Sequence, residues 1–308
     1  CIRDRVSIAY LGYRKVKEKP RQDEADAGTV AEEGIEEGIE EPDRSSREMP
    51  EEIEEVPVLR NYIRLFGEFY VLDRDGNDIT SLFTPKLKQL FILIMLHSSR
   101  GGFGISSKDL TRMIWGNDNP SKSTKSLRSA SILKLRKILE RIDTVEVLFN
   151  ANRYILQLSE DVYCDYLACL DWLKDKRVRT QPDFEYFYDI ISKGEVFKGE
   201  SFDWMDDFKS YICYSTVDVL SRFIDTYSIE DEADRVIQIA DQILLNDPCN
   251  EEALLYKIKA LIYQNNFKLA RYVYDRFCAL YQEMYGEAFP SSFEQVVPSP
   301  LMSQQSSQ

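Results

Sequence analysis

The hydrophobic pattern of the chain changes period once, near Asp165, and that change limits the fold more than any composition figure does. Before it, Ile63, Leu65, Gly67, Phe69 and Val71 alternate onto one side of an extended segment, and Asp75-Gly76 marks a tight turn ahead of Ile79. After it only helical spacing remains, at about 165–177, 183–194, 204–226, 230–246, 251–265 and 267–285. A mixed α+β module followed by an all-α helical array is the fold class this implies.

Within the first module the punctuation is explicit. Thr84-Pro85 reads as an N-cap with Pro at the first helical position, opening a helix through Leu87, Leu90, Phe91, Ile94 and Met95 that belongs in a core. Ser106 and Asp109 form a capping-box pair for a second helix, Lys108 to Trp115, which Gly116 stops. A third helix runs from about Ser121 to Ile142. Strands Val145–Phe149 and Tyr154–Leu158 then flank Asn150-Ala151-Asn152-Arg153 as a hairpin. In the helical half, Leu254, Ile258, Leu261, Ala270, Tyr274 and Phe277 follow a pattern like the tetratricopeptide (TPR) repeat, small where helices approach and large where they interlock. The tail from Ser291, and above all 298–308, reads as disordered.

Charge divides the chain further. Residues 1–21 carry net +5, 22–57 net −13, 58–160 net +6 and 161–308 net −12, for a total of −14. The 22–57 segment is too acidic and too poor in apolar residues to order itself, and reads as a linker. Residues 1–21 read either as the basic cytoplasmic flank of a preceding membrane span or as the end of an ordinary linker. A basic module, 58–160, between acidic segments is the electrostatic footprint of a surface that meets polyanions.

That positive charge is concentrated on the third helix. Lys122, Lys125, Arg128, Lys134, Arg136 and Lys137 occur between Ser121 and Leu139 with no acidic residue among them. At about 100° per residue, Arg128, Ile132, Leu135, Leu139 and Ile142 share one side. Lys122, Ser126, Ser129, Ala130, Leu133 and Lys137 share the other, with Lys125, Lys134 and Arg136 at the margins. Small residues framed by cations suit a helix laid in the major groove of DNA, hydroxyls towards base edges and Lys or Arg towards phosphates. A solvated cationic face is the competing reading, but the capped helix before this one and the hairpin after it favour DNA. Arg153, at the hairpin tip, reads as a backbone or minor-groove contact.

These residues carry a family resemblance. Residues 62–160 resemble the winged-helix DNA-binding domain of the OmpR/PhoB type, through IRLFGEFYVLDRDGNDI, LTRMIWG, LRSASILKLRKIL and NRYILQL. Residues 161–297, through DPCNEEALLYKIKALIYQNNFKLARYVYDRFCALYQEMYGEAF, resemble the bacterial transcriptional activation domain (BTAD), and the whole is similar to SARP-type transcriptional regulators. The resemblance implies an α+β winged helix followed by an all-α TPR-like array, with double-stranded DNA as one partner and RNA polymerase or a second copy as the other. The DNA-binding residues read from the helix projection and the hairpin are Lys122, Lys125, Ser126, Ser129, Lys134, Arg136, Lys137 and Arg153, and the chain is expected in the cytoplasm, by itself or as the cytoplasmic part of a larger, membrane-tethered signalling protein. Two departures stand out: Asn150, Asn152 and Arg153 replace the glycines usual before Tyr154, and serines stand where the family's recognition helix is often richer in Arg.

Other chemistry is thinly represented. One histidine, His97, excludes any His-pair site and reads as a cap or interfacial residue; the six cysteines form no C-x-x-C pair. No catalytic residue, metal or cofactor is expected. Trp115 and the aromatics of 184–204 read as core. The rival function is a TPR-like protein-interaction adaptor whose winged helix is only a scaffold. The acid-free stretch of the third helix argues against it.

Overall fold

The computed structural model describes residues 59–116, 121–175, 177 and 179–297. The expectations for residues 1–21, 22–57 and 298–308 lie outside the described residues. Strand β1 (Tyr62–Arg64) pairs antiparallel with β2 (Tyr70–Leu72), Ile63 opposite Val71. The turn after β2 is built by the buried Asp73 carboxylate, which accepts from the backbone N–H of Asp75 (3.0 Å) and Asn77 (2.9 Å) and from Arg141 Nη2 (3.1 Å).

Helix α1 (Pro85–Ser99) follows, with every residue from Gln89 to Leu96 buried. Pro85 occupies its first turn as expected, but Thr84 makes no side-chain capping bond. Strand β3 (Ile105–Ser106) leads into α2 (Ser107–Trp115), where Ser106 Oγ accepts from the Asp109 N–H (3.0 Å) and donates to its carboxylate (2.6 Å). Gly116 closes α2 in the left-handed conformation, φ 65°, which a side chain would resist. Helix α3 (Lys122–Leu139) precedes β4 (Val145–Asn150) and β5 (Arg153–Leu158), and β5 lies between β3 and β4 in a three-stranded antiparallel sheet.

The remainder is helical apart from β6 (Tyr163–Cys164): α4 (Asp165–Lys174), α5 (Gln181–Ile191), α6 (Asp206–Ile224), α7 (Ile229–Asn246), α8 (Glu251–Tyr263), α9 (Phe267–Tyr285) and α10 (Phe293–Val296). Leu254, Ile258, Leu261, Ala270, Tyr274 and Phe277 are all buried and form one apolar cluster with Val296 and Val297. Residues 291–297 therefore depart from the disordered tail expected. Ser292 and Gln295 form a reciprocal capping box, and two valines anchor the chain in the core. Of the aromatics of 184–204, Phe184, Phe187, Tyr188 and Phe197 are buried and Tyr186, Phe202 and Trp204 pack against the same core. His97 sits edge-on to Phe208 of α6, ring centroids 5.6 Å apart, and burial lowers its pKa.

The junction expected between residues 160 and 161 is densely bonded. β6 adds parallel to β1, so the first sheet runs β2-β1-β6. The fully buried Asp165 carboxylate accepts from the Leu65 N–H (2.7 Å) and the Phe66 N–H (3.1 Å). Tyr62 stacks on Tyr163 at 5.4 Å, and Lys193 Nζ donates to the Tyr62 hydroxyl at 3.1 Å. Gly67, φ 72°, lies so close to residue 193 that a Cβ there would stand 2.3 Å from the Lys193 carbonyl oxygen. The alternation in 61–72 marks only one covered face, whereas Tyr62, Phe66 and Leu72 are buried as well. Tyr163 and Lys193 lie against Tyr62, and Val196 bridges to Phe66. A cut at residue 160 would strip β1 of a neighbour and leave two buried N–H groups without their acceptor.

Burial pushes the Asp165 carboxyl up to about 6, against the pull of Lys193 and of the Leu65, Phe66 and Tyr166 amides. This carboxyl holds its proton more tightly folded than unfolded. Its contribution to stability is therefore greatest below the ordinary value of 3.8 and falls as pH rises to about 6. Asp165→Asn should remove that slope. It should also destabilise the full chain at pH 7 by about 2 kcal/mol, because an amide NH2 would then face a backbone N–H. Urea denaturation from pH 4 to pH 7 measures both effects, and equal stability of the two proteins throughout would contradict the assignment.

Candidate nucleic-acid interface

Helix α3 is held on three sides, and its fourth is open. Ile132, Leu135 and Leu139 are buried beneath it. Arg128, half-buried, donates through Nη1 to the Ser107 carbonyl (3.1 Å) and to Thr111 Oγ1 (2.8 Å), tying α3 to α2. Arg136 donates to the Val147 carbonyl through Nε (3.0 Å) and Nη2 (2.7 Å), tying it to β4. The C-terminal end is fixed by Arg74, which donates to the carbonyls of Glu140 and Arg141.

The open side holds Lys122, Ser126, Ser129, Ala130, Leu133 and Lys137, all exposed, as the helical projection requires. Lys125 and Lys134 are exposed beside them. Lys122, Lys125, Lys134 and Lys137 enter no ion pair among the described residues. Ser121 caps the helix by accepting from the Thr124 N–H (3.1 Å), and no acidic residue lies in the first turn. Lys122 and Lys125 thus stand at the positive end of the helix dipole, where a cation weakens the helix and an anion strengthens it. An anionic ligand at this end would reverse that penalty.

Two of the proposed contact residues are engaged elsewhere. Arg136 is turned from the open side to the hairpin. Arg153, although exposed, donates through Nε to the Phe103 carbonyl (2.8 Å) and through Nη2 to the Gly104 carbonyl (3.0 Å). The hairpin tip turns through Ala151 (φ 46°) and Asn152 (φ 61°), the two-residue form that matches strand twist; Asn152 tolerates it and Ala151 is strained. The tip is tied down, the Ser107 N–H donating to the Asn152 carbonyl at 2.9 Å, while Leu148 and Phe149 stay exposed. Trp115 is half-buried against the core. The Arg128 bridge was not expected: its acceptors are a backbone carbonyl and a threonine, which leave no mark in the charge pattern.

Among the described residues no group of three or more His, Cys, Asp or Glu could hold a metal ion, and no helix is long and apolar enough to cross a membrane. No family model and no curated protein matches the chain. Among solved structures, that of Mycobacterium tuberculosis EmbR in complex with a low affinity phosphopeptide is similar at a TM-score of 0.48 and 15% identity, covering 79% of this chain and 65% of that one. The chain thus spans less than two thirds of the length of that protein.

The two neighbouring cations Arg136 and Lys137 separate structure from charge. Arg136→Met should lower stability by about 1–2 kcal/mol through the lost bonds to Val147, while Lys137→Met should change it by less than about 0.5 kcal/mol. Thermal denaturation of both variants provides the comparison. Equal losses would mean that the Arg136 bond is not formed in solution.

Proposed function

We propose that the chain is a sequence-specific DNA-binding transcription regulator. In this reading β1 to β5 with α1 to α3 form a winged helix of the OmpR/PhoB type, α3 is the recognition helix and β4–β5 the wing. The helices from α4 onward form the TPR-like activation domain of a SARP-type regulator. The observation that carries the reading is the open side of α3: four exposed lysines without carboxylate partners among the described residues, two of them at the helix start, in a chain of net charge −14. A protein with so many acids to spare leaves lysines unpaired where another polyanion neutralises them.

Lys122, Lys125, Lys134 and Lys137 are assigned to phosphates and Ser126 and Ser129 to the groove, where small side chains permit close approach. Arg136 supports the assembly through β4, and Arg153 orients the wing by its bonds to residues 103 and 104. The helical array, net −12 over residues 161–308, is repelled by DNA and is assigned to self-association or to RNA polymerase. The adaptor reading draws on the exposed Tyr211, Tyr214, Tyr263 and Tyr272 of that array. It gives no reason for the lysines on α3.

The full chain should bind duplex DNA with an affinity that falls steeply with salt. Replacing Lys122, Lys125, Lys134 and Lys137 by Ala should weaken binding to every sequence. The slope of log K against log salt should become shallower by up to about 3.6, at about 0.9 for each phosphate released. Fluorescence anisotropy at several salt concentrations reads both. A chain that binds no duplex at low salt would remove the DNA reading and leave the adaptor.

A further inference from the structure

Between Ser126 and Leu133 the centre of the open side of α3 is not basic. Ser126, Ala130 and Leu133 run along it at helical spacing, with Leu127 on the flank; Leu127 is 54% exposed and Leu133 57% exposed. Large apolar side chains left this open in the middle of a lysine frame contribute nothing to the core beneath them.

The polar groups nearby are poorly placed to read bases. Ser126 Oγ donates to the Lys122 carbonyl and Ser129 Oγ to the Lys125 carbonyl, each at 3.1 Å, so both hydroxyl hydrogens are already used. Ser123, in the first turn, lies where contacts to phosphate are made. The residues that read guanine are Arg and Lys, those that read adenine with paired hydrogen bonds are Asn and Gln, and Asp or Glu can accept from cytosine. Of these the open side of α3 has only lysines. Arg128 and Arg136, the arginines of this helix, are both turned inward and bonded. Lys122, Lys125 and Lys134 stand to either side of the centre line. Lys137 is on it, one helical turn beyond Leu133, roughly 6 Å along the axis at the 1.5 Å rise per residue of a helix, and so ends the apolar strip. What remains at the centre is methyl and methylene surface, and the one apolar group that base pairs display in the major groove is the thymine 5-methyl.

We propose that Ala130, Leu133 and Leu127 recognise duplex DNA through thymine 5-methyl groups in the major groove, so that half-sites for this chain are selected for thymine methyls at two or three adjacent positions. The proposal rests on the reading of α3 as a recognition helix and adds what it reads. The lysines around the apolar strip commit the occupant to DNA, since a protein partner of the same helix would need an acidic rim about an apolar centre. Specificity then comes from buried apolar area, and phosphate contacts fix the register.

The experiment uses the full chain and duplexes it selects from a random pool. Each thymine of a selected site is replaced in turn by deoxyuridine, which removes only the 5-methyl group. Two or three replacements should each weaken binding by about fourfold, the value expected for one buried methyl. In the Leu127→Ala, Leu133→Ala double variant the difference between thymine and uracil should shrink at those positions, while affinity for unselected duplex changes less than twofold. Both leucines are exposed, so the variant should fold, and circular dichroism checks it. The unaltered chain is decisive by itself. Selective binding with no loss on any uracil replacement would overturn the proposal and leave DNA binding standing, whereas failure to bind any duplex would overturn the recognition-helix reading and this proposal with it.

Discussion

Leu90 to Leu96 are seven consecutive side chains, all buried, on a single helix. A helix that is apolar all round must be surrounded, and the elements before and after α1 are disposed to do that. Phe83 and Phe69 close on Phe91, with ring centroids 5.6 and 6.4 Å away. α2, α3, β3 and β5 all contact it. His97 at its far end meets α6, and Ser98 Oγ accepts from the Leu156 N–H of β5 at 2.8 Å. Because α1 is covered in this way, α3 can bury only one stripe against the assembly, and its other side is left to water or to a ligand.

The sheet-side anchor is polar. Asp165 sits at the start of α4 with no exposed surface, and its two oxygens are met by consecutive backbone amides 99 and 100 residues earlier. A buried carboxylate costs stability unless it is hydrogen-bonded, so it fixes where α4 departs from the sheet. Lys193 and Gly67 hold the same spot from the other direction. The mixed α+β half and the helical half distinguished by periodicity thus share one apolar cluster, with members from Ile63 to Ala260.

How much of this was legible depended on range. Local signals read well: Ser106 with Asp109, the Gly116 stop and the hairpin of β4 and β5 all act within a few residues, where backbone preferences are strong, although Asn150 and Arg153, expected in the loop, pair as the last rung of the strands. The open side of α3 was legible too, since helix geometry alone sorts its residues into covered and exposed. Contacts over long range were not. β6 is two residues long, too short for alternation to register, and Arg128, Arg136 and Arg153 each bond to backbone carbonyls, which every sequence offers. Counting charges placed Arg136 with Lys137, while the structure gives one to the hairpin and the other to solvent. Composition misleads for 291–297, because Val296 and Val297 are only two residues in a polar stretch, yet both find the core.

The proposed function requires that the lysines of α3 meet duplex DNA and that the helical array does not. Acetylation of lysines in the full chain, quantified by mass spectrometry with and without excess duplex at low salt, tests it residue by residue. Lys122, Lys125, Lys134 and Lys137 should be labelled more slowly on adding DNA, and Lys268, exposed on α9, at an unchanged rate. Unchanged labelling of the α3 lysines under conditions where duplex is bound, or protection confined to the array, would contradict it.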